Sequence, residues 1–102
     1  MTLMIVGIAQ MAFADHSQLR LRMKEAMDKA YTDIVREQNV QAPEKKAWLR
    51  SMISLNMAYL QFNGTRTAIK ADTGLNGLIR HKLKEYLPPD IDSQPGFHQS
   101  LD

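Results

Sequence analysis

Residues 19–37, "LRLRMKEAMDKAYTDIVRE", decide the fold. Apolar side chains stand at Leu19, Met23, Ala26, Met27, Ala30, Tyr31 and Ile34, so they recur every three or four residues and form one stripe along a helix. The charged side chains of Arg20, Arg22, Lys24, Glu25, Asp28, Lys29, Asp33, Arg36 and Glu37 fall mostly outside that stripe. A half-buried strand would need strict alternation, and the chain has no alternating run of useful length. The expected class is therefore all-α, a small bundle of four or five helices with an irregular C-terminal tail.

Downstream of this helix, residues 39–48, "NVQAPEKKAW", supply a break, and Pro43 suits the first turn of a second helix, where its missing N–H costs nothing. Glu44 beside it complements the helix dipole. Trp48, Leu49, Met52, Ile53, Leu55, Tyr59, Leu60 and Phe62 then form an apolar face broader than a surface helix needs, which predicts a central helix. Asn63-Gly64 predicts its end, because both residues accept the left-handed conformation. Thr67 is a cap for a short helix over 68–73, and Asn76 a cap for a further one carrying Ile79, Leu83, Tyr86 and Leu87 until Pro88-Pro89 stops it. Residues 88–102, "PPDIDSQPGFHQSLD", have no periodicity and read as tail, leaving residues 1–87 as a single helical domain.

Upstream, residues 3–14, "LMIVGIAQMAFA", carry no charge. Asp15 with Gln18 makes a capping-box-like start for the helix that follows. The segment reads first as an apolar packing helix, with Ile5, Ile8, Met11 and Phe13 as contact residues. Ala12-Phe13-Ala14 also fits a signal-peptidase site, although no Lys or Arg precedes the apolar run as a leader requires. The expected compartment is the cytoplasm, or the periplasm or exterior if residues 1–14 are a leader. At 12 residues the run is too short for a bilayer, which takes about 20.

The 102 residues suffice for one modest core, and the absence of cysteine excludes disulfide frameworks, thiolate metal sites and cysteine nucleophiles. Charge is unevenly spread: residues 44–84 hold eight basic and two acidic side chains, while residues 85–102 hold four acidic and no basic ones. Such a basic segment suits an anionic partner.

No catalytic constellation stands out. His16, His81 and His98 lack metal-ligand spacing, no serine has a G-x-S-x-G setting, and "ADTGLNG" over 71–77 lacks the lysine of a phosphate loop. No metal, cofactor or small-molecule substrate is expected. Asp33 and Glu37 could form a carboxylate pair, but with Lys29 and Arg36 nearby they read as an ion-paired helix surface. Asn63-Gly64-Thr65 fits the N-glycosylation pattern and reads as a helix stop. Of the seven methionines, Met23, Met27 and Met52 fall on apolar faces and read as core filling.

Residues 67–87, "TAIKADTGLNGLIRHKLKEYL", resemble the helix-turn-helix motif through Ile69, Thr73, Gly74 and Leu75. The resemblance implies that Gly77, Arg80, His81 and Lys84 face outward, and with Arg66 and Lys70 the basic ones would contact DNA. An ordinary helical corner with a basic solvated face accounts for the same residues. The leading expectation is a small non-enzymatic interaction protein that packs against itself or a protein partner through apolar helix faces, with Trp48 joining the N-terminal contact residues. DNA binding comes second, and an exported helical protein third.

Overall fold

The computed structural model describes residues 17–65 and 73–98. Among them lie three α-helices, α1 (Ser17–Glu37), α2 (Pro43–Asn63) and α3 (Gly74–Tyr86), with a single 3-10 turn at Ile91–Ser93 and no strand. The all-α class is as expected, whereas the count of four or five helices is not matched. Of the two further expected helices, residues 1–14 and residues 68–72 fall outside the described residues, as do Ile5, Ile8, Met11, Phe13, Arg66 and Lys70, while Thr73 is extended at the cap of α3.

Helix α1 buries Leu19, Met23, Ala26, Ala30 and Ile34, which is the stripe of its sequence pattern, with Met27 and Tyr31 half-buried at its edge. The helix ends on Asn39, which adopts φ 51°. Asn tolerates this region better than most residues, and the turn closes with Val40 N–H donating to the Val35 carbonyl at 2.9 Å and Asn39 N–H donating to that of Arg36 at 3.3 Å. Those two bonds satisfy carbonyls that the end of a helix otherwise strands.

Helix α2 starts with Pro43 in its first turn and stops at Gly64, whose φ of 86° excludes most side chains. Helix α3 corrects the sequence reading: it begins at Gly74, with Thr73 at the cap position, so Asn76 lies inside the helix. Gly74 sits at φ 67°, and a β-carbon there would meet no atom within 4 Å, so it is backbone conformation and not space that favours glycine. The last turn of α3 ends with Leu87 N–H donating to the Leu83 carbonyl at 2.8 Å, ahead of Pro88-Pro89.

All three helices pack against one another, so α2 is one wall of the core rather than its centre. From α2 come Leu49, Ile53, Met57 and Leu60, and from α3 Ile79 and Leu83. Each fully buried aliphatic or aromatic side chain contributes roughly 1.5–3 kcal/mol against exposure. The segment after Pro89 is irregular, as its composition suggests, yet Ile91 and Phe97 are fully buried in the same core. Polar clasps hold it down. Thr65 donates from its N–H to Asp92 Oδ1 at 3.0 Å and from its hydroxyl to Oδ2 at 2.5 Å, and Gln61 Nε2 donates to the Phe97 carbonyl at 3.1 Å. His98 joins them, with Nδ1 2.7 Å from the Gln61 carbonyl and Nε2 3.3 Å from Asp92 Oδ1.

Candidate functional site

Helix α2 carries more apolar surface than the core uses. From Ala47 to Asn63 its only charged residue is Arg50. On one side Leu49, Ile53, Asn56, Met57 and Leu60 are buried against α1 and α3. On the other, Trp48, Leu55, Tyr59 and Phe62 are 54%, 63%, 37% and 88% exposed. With half-buried Met52 between them, these residues sit at successive spacings of four, three, four and three, the repeat that places side chains along one seam of a helix facing another helix. The face predicted from the sequence as one broad stripe is therefore two: one folds the chain and the other meets solvent.

At its N-terminal end the exposed seam opens into a groove of about 410 Å³, lined by Ile34 of α1, Val40 of the connecting turn, Lys45, Trp48 and Leu49 of α2, and Leu75 of α3. Trp48 is thus both the rim of an apolar groove and the first residue of the seam.

Between the faces runs a polar node. Arg80, expected to face outward, is 7% exposed. Its Nη1 donates to Asn56 Oδ1 at 2.8 Å, and its guanidinium carbon lies 5.0 Å from the centre of the Tyr59 ring. Asn56, itself buried, donates through Nδ2 to the Met52 carbonyl at 2.8 Å and to Asn76 Oδ1 at 3.1 Å. Among the described residues no buried side-chain N or O atom lacks a partner. Arg80 is therefore a cross-helix brace, because a buried guanidinium is tolerated only with such partners. Gly77 is buried as well. Of the five residues expected on a DNA-binding face, Arg66 and Lys70 lie outside the described residues, Arg80 is turned into the protein, His81 is exposed and Lys84 is half-buried.

Asp33 and Glu37 form the anionic half of a clasp between α1 and α3. The Tyr86 hydroxyl donates to Asp33 Oδ2, and Lys82 Nζ donates to Glu37 Oε2 at 2.8 Å while lying 3.6 Å from Asp33 Oδ2. Arg36 reaches Asp33 at 3.2 Å. The Tyr86 hydrogen bond, helped by Lys82 and Arg36, holds the Asp33 carboxyl below its usual value, and the same bond raises the Tyr86 hydroxyl. The Glu37 carboxylate raises the Lys82 ammonium. With both acids occupied by cations and a phenol, the pair is structural. Asp28 is held low by Lys24 and Arg50 in the same way, and Arg50 also covers the Tyr31 ring at 3.8 Å.

No group of acidic, histidine or cysteine side chains among the described residues could hold a metal ion, and no described helix is long and apolar enough to cross a membrane. Comparison with known proteins finds no matching family model, no matching curated protein and no matching solved structure.

Proposed function

We propose that the chain is a small non-enzymatic interaction protein whose working surface is the exposed seam of α2. The observation that carries this reading is the row of four large apolar side chains, Trp48, Leu55, Tyr59 and Phe62, left in solvent on a helix whose opposite side is already committed to the core. Single exposed apolar residues are ordinary, but a contiguous patch of this kind marks a surface that another molecule covers. Aromatic side chains in particular anchor protein interfaces. The Trp48 groove adds a recess at one end of the seam.

Native mass spectrometry of the protein recovered from its source tests this. The expected result is an assembly of more than one polypeptide that dissociates when Leu55→Glu places a charge in the seam. A single unpartnered chain in that preparation would refute the reading.

A further inference from the structure

We infer that the occupant of the seam is a second copy of this chain, with the two α2 helices antiparallel about a two-fold axis at Leu55. This rests on the proposed interaction function and names its partner.

The residues of the face and their order carry the inference. Beside the seam lie Ser51 and Ala58, both exposed and both small. A helix laid antiparallel on its own copy with Leu55 against Leu55 sets Trp48 opposite Phe62, Ser51 opposite Tyr59 and Met52 opposite Ala58. Every residue of the face then meets another residue of the face, as an isologous dimer requires. Size is matched too, since Tyr59 falls on a serine and Met52 on an alanine, which lets the helix axes approach to about 8–10 Å. The ends are closed by Trp48 and Phe62, an aromatic pair made twice by the symmetry.

Charge does not oppose the pairing. Arg50 leans away from the seam onto Tyr31 and Asp28, 3.8 Å from the ring centre and 3.5 Å from the carboxylate. No seam residue is itself charged; of the flanking cations, Lys45 stands beside Trp48 at the rim and Arg80, which backs the Tyr59 ring, is already buried in the single chain. Area is sufficient as well. Trp48, Leu55, Tyr59 and Phe62 leave about 500 Å² exposed per chain, on the scale of aromatic side chains of about 150–250 Å². Two copies therefore bury about 1,000 Å² before Ser51, Met52 and Ala58 are added, which meets the threshold of about 1,000 Å² for a biological interface.

The chain has no cysteine, so single-cysteine variants of the full chain report the geometry directly. In this register residue 55 faces its own copy at about 3.4–5.4 Å between α-carbons, which overlaps disulfide reach, given the axis separation and a helix radius of about 2.3 Å. Residue 52 is displaced from its own copy by about 9 Å along the axis and lies beside residue 58. Air oxidation is therefore expected to link Leu55→Cys to itself and to link Met52→Cys to Ala58→Cys in a mixture, with little self-linking of Met52→Cys. Failure of Leu55→Cys to link, or self-linking of Met52→Cys in preference to the mixed product, overturns the antiparallel dimer. Native mass spectrometry separates this failure from that of the broader reading. An assembly with a different protein that Leu55→Glu dissociates overturns the second copy and keeps the interaction function, whereas a solitary chain without cross-links overturns both.

Discussion

The two faces of α2 are similar in composition and opposite in fate. Leu49, Ile53, Met57 and Leu60 are almost wholly removed from water, while Trp48, Leu55, Tyr59 and Phe62, interleaved with them one or two residues away, are not. Hydrophobicity alone does not separate them, since the exposed set contains three of the largest apolar side chains in the helix. What separates them is the position of α1 and α3, which cover one side and leave the other. Burial here follows the arrangement of neighbours, and among the described residues four of the five exposed large apolar side chains lie on this one face.

That contrast can be broken from either side. The largest effect is expected on the covered face: Leu60→Ala or Ile53→Ala should cost about 2–5 kcal/mol, through lost transfer energy and the cavity left behind, measured by denaturant unfolding. Leu55→Ala, one turn away on the open face, should change the stability of the unassociated chain by no more than about 0.5 kcal/mol. Equal losses at Leu60 and Leu55 would show that the two faces are not distinct.

At the boundary, Arg80→Ala should destabilise the chain by about 1–3 kcal/mol, because it strips Asn56 of its donor inside the protein. If Arg80 instead served an outer surface, the unfolding midpoint would not move.

A smaller effect is expected from the clasp of Asp33, Glu37, Lys82 and Tyr86. The Asp33 carboxyl titrates below its usual value near 3.8, so its contribution to stability is complete above that pH and is lost as the pH falls through the lowered value. Lys82 titrates above its usual 10.5, so its contribution is present below that pH and disappears as the pH rises through the raised value. Asp33→Asn should therefore lower the melting temperature at neutral pH and flatten its decline in acid, read by thermal melts across pH. A parallel acid decline in both proteins would assign that slope to other carboxylates.

Much of this architecture was legible in residue order. The stripe from Leu19 to Ile34 is local information, and so are the stops at Asn39, Gly64 and Pro88, because each depends on the conformational preference of one or two residues. The start of α3 was less so. Asn76 is as good a cap by type as Thr73, yet the helix begins at Gly74 and Asn76, inside it, accepts from Asn56 across the helix pair. Arg80 likewise depends on a distant partner. Its spacing relative to Ile79 and Leu83 suggests an outer face, while its acceptor is on a helix 24 residues earlier. Ile91 and Phe97 carry no periodicity, and their burial depends on the Asp92 and Gln61 clasps that no pattern in the tail announces. The width of the apolar face on α2 was visible in the sequence, but its division into a covered and an open half required the placement of the other helices.

The most direct test of separable faces on α2 is light scattering with circular dichroism on the full chain and on Leu55→Glu. The account predicts that the unaltered chain runs at twice its 11.6 kDa mass, while Leu55→Glu runs at 11.6 kDa with the same helical content. A Leu55→Glu protein that loses its helices would place Leu55 in the fold, and one that keeps the doubled mass would place the interface elsewhere; either result contradicts the account.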